Sequence, residues 1–119
     1  MILVDSPIWV DHLRRPNDAL RNLLTANRVL MHPFVVGEIA MGSLQGRKTV
    51  IGAMLSLPQA LVAQDDEVLK LVDRFALGGS GIGYVDAHLL ASALLTQGAT
   101  LLTRDRRLAA VATRLGVAA

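Results

Sequence analysis

The sequence predicts an α/β fold: a three-layer sandwich with a central, mainly parallel sheet of four or five short strands. Three observations carry this expectation. Short strand-like runs recur along the chain, at Ile2 to Val4, Arg28 to Met31, Ala60 to Ala63 and Thr100 to Leu102. Between them lie longer segments with helical spacing of apolar residues and recognisable start and stop residues. Strands that alternate with helices pair in parallel, since each crossover must be long enough to hold a helix, and such a sheet is covered on both faces.

The elements follow in order. Ile2-Leu3-Val4 ends at Asp5, and Ser6-Pro7 brings capping chemistry with proline at a first helical position, so a helix is expected from Pro7 to about Arg14. Pro16-Asn17-Asp18 interrupts it, and a second helix is expected over Ala19 to Ala26. After the Arg28 to Met31 strand, Pro33 opens a helix to about Leu44 that Gly46 ends. Thr49 to Leu57 is another helix, stopped by Pro58, and Ala60 to Ala63 follows as a strand. Asp65-Asp66-Glu67 forms an acidic, solvated first turn favoured by the helix dipole, and that helix continues to about Leu77. Gly78-Gly79-Ser80-Gly81 and Gly83 form a loop expected to be mobile. Tyr84 to Gln97 is a strong helix closed by Gly98. Thr100 to Leu102 is the fourth strand, and Asp105 to Leu115 the last helix. A fifth strand has only Val117-Ala118-Ala119 to draw on.

Composition bounds the function. The 119 residues fit one domain, residues 1–119. Hydrophobic residues make up 52% and aromatic residues 3%, so the core is aliphatic. There is no cysteine, which excludes disulfides and thiolate metal sites. Charge, proline or glycine interrupts every apolar segment before the ~20 residues of a membrane span, and no secretory leader pattern opens the sequence, so a cytoplasmic protein without membrane contact is expected. Net charge is +2, carried mostly by arginine: Arg14, Arg15 and Arg21 near one end, Arg104, Arg106, Arg107 and Arg114 near the other. Guanidinium groups pair well with phosphate, and they also serve as plain solvated surface.

Four of the ten acidic residues fall where a doubly wound sheet gathers ligands. Asp5 follows the first strand, and Asp105 follows the fourth after Thr103-Arg104. Asp86 lies in the first turn of the Tyr84 helix. Glu38 lies inside the helix opened by Pro33. Taken singly, Asp5 and Asp105 also fit helix caps, and Asp86 fits a dipole partner. Glu38 is expected on an apolar face among Phe34, Val35, Ile39 and Met41, where a carboxylate needs a partner or a cation, and the only lysines, Lys48 and Lys70, are not placed to help. Four carboxylates in one cleft require a counter-charge, and hard divalent cations with oxygen ligands supply it. His12, His32 and His88 read as packing or surface residues, Trp9 as core. The glycine-rich loop lacks the lysine of a phosphate loop and follows a helix.

Four segments together resemble a known family. Met1-Ile2-Leu3-Val4-Asp5-Ser6-Pro7-Ile8-Trp9-Val10-Asp11-His12-Leu13 looks like the opening of a VapC toxin. Val36-Gly37-Glu38-Ile39-Ala40-Met41-Gly42, Tyr84-Val85-Asp86-Ala87-His88-Leu89-Leu90-Ala91 and Leu102-Thr103-Arg104-Asp105-Arg106-Arg107-Leu108 resemble that family's second, third and fourth motifs, in order and over nearly the whole chain. The resemblance implies a PIN fold and an Mg²⁺- or Mn²⁺-dependent endoribonuclease, the toxin of a type II toxin–antitoxin system. It implies that Asp5, Glu38, Asp86 and Asp105 are the catalytic and metal-binding acids, with Ser6 and Thr103 orienting ligands or water. It places Arg104, Arg106 and Arg107 against the RNA substrate, and it implies a cognate antitoxin and a homodimer. A groove near Met41, Leu44, Met54 and Leu55 is the expected seat of a partner helix. Pro7 departs from the family pattern, which commonly has a small polar residue there.

Other readings remain beside this one. A non-catalytic interaction module on the same fold is one, although all four acids are present. A phosphoacceptor receiver domain wants a lysine where Arg104 stands, and a haloacid-dehalogenase-like phosphatase wants an aspartate where Pro7 stands.

Overall fold

A computed structural model describes residues 1–119 of the chain. The order is β1 (Ile2–Val4), α1 (Ser6–Arg14), α2 (Asp18–Thr25), β2 (Val29–Leu30), α3 (Pro33–Ala40), α4 (Arg47–Leu55), α5 (Asp65–Arg74), α6 (Tyr84–Leu95), β3 (Thr100–Leu102) and α7 (Arg106–Arg114). The strands form one sheet in the order β2-β1-β3, all parallel. Leu3 stands opposite Leu30 on one side and Leu101 on the other, and Val4 stands opposite Leu102.

The sheet therefore has three strands and not the expected four or five. Each missing strand is reduced to a single parallel bridge on an outer edge, Met31 to Gln59 and Leu101 to Ala118. At the first edge, the Met31 amide donates to Pro58 at 2.8 Å and the Ala60 amide donates to Met31 at 2.9 Å. The ladder cannot continue because Pro33 starts α3 two residues beyond Met31, and the Leu61 amide turns instead to the Thr96 hydroxyl at 2.9 Å. At the other edge, the Leu101 amide donates to Val117 at 2.7 Å and the Ala119 amide returns to Leu101 at 3.0 Å.

Helix limits differ from expectation mainly at the ends. Helix α3 stops at Ala40, capped by Met41, well short of Leu44. Gly46 does not terminate α3 but precedes α4, with a left-handed φ of 62° that suits a residue without a side chain. Helices α5 and α6 end two or three residues early, at Arg74 and Leu95.

One cluster of 23 buried hydrophobic residues holds the elements together. It takes Leu3 and Val4 from β1, Trp9 from α1, Leu89 and Leu90 from α6, Leu101 from β3 and Leu108 from α7. Burying a leucine of this kind contributes roughly 1.5–3 kcal/mol. Helix α6 is buried without a break from Ala87 to Ala93, so it is packed on every side and its position is fixed. Asp86 sits one residue before that stretch. No helix is long and apolar enough to cross a membrane.

Candidate active site

Strand order alone locates the cleft. The connection from β1 leads to β2 on one side, while β3 lies on the other, so the crevice beyond the carboxyl ends of β1 and β3 is the switch point where such sheets bind ligands. The residues that leave these two strands are Asp5 after Val4, and Thr103, Arg104 and Asp105 after Leu102.

Asp5 is the most enclosed of the four acids, 7% exposed. Its amide donates to Leu102 at 2.9 Å, which extends the β1–β3 ladder by one bond. One carboxylate oxygen accepts from the Ser6 amide at 2.9 Å and so caps α1; the other accepts from the Thr103 hydroxyl at 2.7 Å. The same Thr103 oxygen accepts from the Asp105 amide at 3.1 Å. Thr103 thereby links the two acids that terminate neighbouring strands.

Asp86 and Asp105 each spend one oxygen on a helix start. Asp86 Oδ2 accepts from the Gly83 amide at 3.2 Å. Asp105 Oδ1 accepts from the amides of Arg107 and Leu108 at 2.9 and 3.0 Å. The capping expected of Asp5 and Asp105 is thus realised, and Asp86, expected only as a dipole partner, also bonds the first turn of its helix. Asp86 Oδ1 and Asp105 Oδ2 accept no hydrogen bond from the protein. Burial pushes the Asp86 carboxyl above its ordinary value of 3.8, the Gly83 amide opposes this, and the negative charges of Asp5 and Asp105 push it further up. Asp5, Asp86 and Asp105 therefore share one electrostatic neighbourhood.

Glu38 reaches the site differently from the expectation. It is exposed, because α3 buries Val35, Val36 and Ile39 and turns Glu38 outward. Contrary to expectation, burial therefore imposes no counter-ion on Glu38. What brings it to the cleft is Ser6, whose buried hydroxyl donates to Glu38 Oε1 at 2.9 Å. The oxygen-only donor set of four carboxylates and two hydroxyls fits a hard divalent cation. No three histidine, aspartate or glutamate side chains stand close enough together to hold one ion among themselves. That is compatible with Mg²⁺-like binding, in which one or two carboxylates share the ion with water and substrate phosphate.

The remaining candidates separate. Arg104 is ion-paired with Asp11 of α1, a partner not foreseen from sequence, since only the fold brings residues 93 positions apart together. Arg107 lies over the glycine-rich loop: a Cβ on Gly81, whose φ is 90°, would fall 2.6 Å from the Arg107 guanidinium. Arg106 is exposed. His32 and His88 are buried, 0% and 2% exposed, and the Phe34 ring meets His32 edge-on and His88 at a tilt, so they pack as expected. His12 accepts from the Asn17 amide at 2.9 Å and meets Trp9 edge-on. Asp65 is not merely a solvated helix start: it accepts from the Tyr84 hydroxyl at 2.9 Å and contacts His88 Nε2 at 3.1 Å, which fastens α5 to the start of α6.

A parallel α/β sheet with acids gathered beyond the ends of β1 and β3 is what the PIN domain presents, and residues 2–114 match that family. The chain belongs to the PIN domain family. It is 46% identical over 118 residues to Ribonuclease VapC32 of Mycobacterium tuberculosis, in strains CDC 1551 / Oshkosh and ATCC 25618 / H37Rv alike, an alignment covering 99% of this chain and 95% of the relative.

Proposed function

We propose that this chain, as one domain over residues 1–119, is the toxin of a type II toxin–antitoxin pair and cleaves RNA hydrolytically with Mg²⁺ or Mn²⁺. The observation that carries this reading is the linkage of the acids at the sheet's carboxyl end: the Thr103 hydroxyl donates to Asp5 and accepts from the Asp105 amide, and the Ser6 hydroxyl donates to Glu38. Like charges held together by a rigid fold create a need for a cation, and phosphodiester cleavage is the chemistry such a cation serves. The similarity to Ribonuclease VapC32 supports RNA as the substrate.

Asp5, Asp86, Asp105 and Glu38 are the residues from which one or two would hold the ion, sharing it with water and substrate phosphate. When bound, a divalent cation supplies positive charge at the phosphate and makes water more acidic. Thr103 keeps Asp5 turned toward the cleft and Ser6 keeps Glu38 there. The unpaired oxygens of Asp86 and Asp105 remain available to accept a proton or a ligand. In this reading Arg104, Arg106 and Arg107 meet the phosphates of the strand. Attack by water rather than by the ribose 2′-hydroxyl leaves a 5′-phosphate and a 3′-hydroxyl.

We further read a cognate antitoxin helix into the hollow of about 430 Å³ beside Glu38, which is bordered by Val10, Leu13, Ile39, Leu44 and Val50. Of the residues first expected to line such a groove, Met54 belongs instead to the core, while Met41 and Leu55 are exposed. A homodimer in the cytoplasm completes the proposal. Calorimetric titration of the chelator-treated protein with Mn²⁺, followed by an RNA cleavage assay at each step, tests it. Cleavage should appear with the same midpoint as binding. Heat of binding without any cleavage would favour a non-catalytic PIN module.

A further inference from the structure

The exposed stripe of α1 connects two chemically opposite regions. Pro7, Val10, Asp11 and Arg14 stand at i, i+3, i+4 and i+7, so they share one helical face. At its start, Ser6, Pro7, Val10, Asp11 and Glu38 enclose a hollow of about 320 Å³ beside the acids. At its end, Asp11, Arg14, Arg15, Pro16, Asn17 and Arg104 enclose another of about 380 Å³. Asp11 borders both. Apart from Pro16, every lining residue of the second hollow is charged or polar, unlike the apolar centre that a folded protein partner wants. Three guanidinium groups face a single carboxylate there. Arg104 follows Thr103, the residue bonded to Asp5, so the basic hollow is anchored next to the acidic one.

We propose that this basic hollow is a phosphate subsite for the RNA strand flanking the cleaved bond, and that Asp11 acts as an internal stand-in for phosphate on Arg104. The inference rests on the ribonuclease reading above. Arg14, Arg15 and Arg104 take backbone phosphates through charge-assisted, bidentate hydrogen bonds, which carry no base information. Asp11 pairs with the Arg104 guanidinium while no strand is present, and it must be displaced when a phosphate arrives. Arg104 and Asp11 are 51% and 54% exposed, so the exchange occurs at high dielectric and its cost is small.

The test is equilibrium binding of a short fluorescein-labelled single-stranded RNA, read by anisotropy across a series of KCl concentrations in excess chelator, where cleavage is suppressed. Each phosphate contact on a single strand contributes about 0.7 to the slope of log affinity against log salt. Arg14→Ala, Arg15→Ala and Arg104→Ala should each make the slope shallower by roughly that amount. Arg74→Ala, which alters the separate hollow between α5 and α6, should not. Asp11→Asn should tighten binding by about two- to fivefold, the range of an exposed ion pair. That gain should vanish in an Arg104→Ala background. All of these side chains are exposed, so the variants keep the fold. Unchanged slopes in the three arginine variants, an equal loss in Arg74→Ala, or no binding by the unaltered chain at low salt would each overturn the subsite. A gain from Asp11→Asn that survives without Arg104 would overturn the stand-in. A chain that cleaves with metal but shows unchanged slopes refutes only the subsite, whereas normal slopes without cleavage refute only the ribonuclease reading.

Discussion

The Thr103 hydroxyl donates to the Asp5 carboxylate at 2.7 Å across 98 positions of sequence, joining the ends of two adjacent parallel strands. Because Asp5 is buried, that oxygen has little water to turn to if the donor is lost. Thr103→Val keeps the shape and removes the donor. It should cost about 1.5–3 kcal/mol of stability, the range for hydrogen bonds to charged groups. Ribonuclease activity should fall at least tenfold, and Thr103→Ser should recover most of both. Urea unfolding and cleavage rates on the same preparations check this; a Val variant equal to the natural chain in both would show that the contact positions nothing.

Asp86 gives a prediction of opposite sign from an ordinary aspartate. Its carboxyl is raised in the fold, first by burial and then by Asp5 and Asp105. The folded chain therefore holds that proton more tightly than the unfolded chain. The resulting stability is present below the ordinary value of 3.8 and is lost as pH rises through the elevated value. Near neutrality the ionised group is a burden. In chelator at pH 7, Asp86→Asn should melt above the natural chain, with the gap closing as pH falls toward 3.8. Added Mg²⁺ should raise the melting temperature of the natural chain more than that of the variant. Calorimetric scans with and without Mg²⁺ decide it, and a variant that melts lower at pH 7 in chelator refutes the electrostatic reading.

His32 supplies an acid-sensitive element away from the site. It is fully buried; desolvation, aided by the charge of His88, lowers its pKa from 6.5 to about 4. The unfolded chain binds this proton at a higher pH than the folded chain does. Stability is therefore lost as pH falls from 6.5 toward 4, by an amount on the order of 3 kcal/mol if the shift is fully expressed. His32 also caps α3 through Nδ1, which accepts from the Phe34 amide at 3.0 Å, and asparagine can replace that function. His32→Asn should be less stable at pH 7 because it leaves a gap, and it should lose less stability than the natural chain between pH 6.5 and 4. Parallel pH profiles of the two proteins would contradict this.

Much of the site was legible in sequence because its parts are local. Asp5 and Asp105 each follow a strand and precede a helix, so three or four neighbouring residues define them, and the Ser6-Pro7 start of α1 needs no tertiary information. Glu38 was placed on the right helix but on the wrong face. Phe34, Val35, Ile39 and Met41 suggest an apolar face that includes Glu38, whereas the helix is short and buries Val35, Val36 and Ile39, leaving Phe34 and Met41 exposed. The Ala60 to Ala63 strand is not formed because pairing stops after a single bridge: the Ala60 amide donates to Met31, but the Leu61 amide turns to the Thr96 hydroxyl, and Leu61 and Val62 are exposed. The Asp11–Arg104 pair and the Asp65–Tyr84–His88 contacts join residues distant in sequence, and neither has a spacing signature that could reveal it.

The central claim is that the acid cluster cleaves RNA with a metal ion. The most direct measurement incubates an RNA substrate with the natural chain and with Asp5→Asn, in Mg²⁺ or Mn²⁺ and after chelation, and determines the chemistry of the new ends. Cleavage by the natural chain should occur only with metal and leave a 5′-phosphate and a 3′-hydroxyl, and Asp5→Asn should lose at least a hundredfold in rate with the fold intact. Cleavage that persists in chelator, cyclic phosphate ends, or full activity in Asp5→Asn would contradict it.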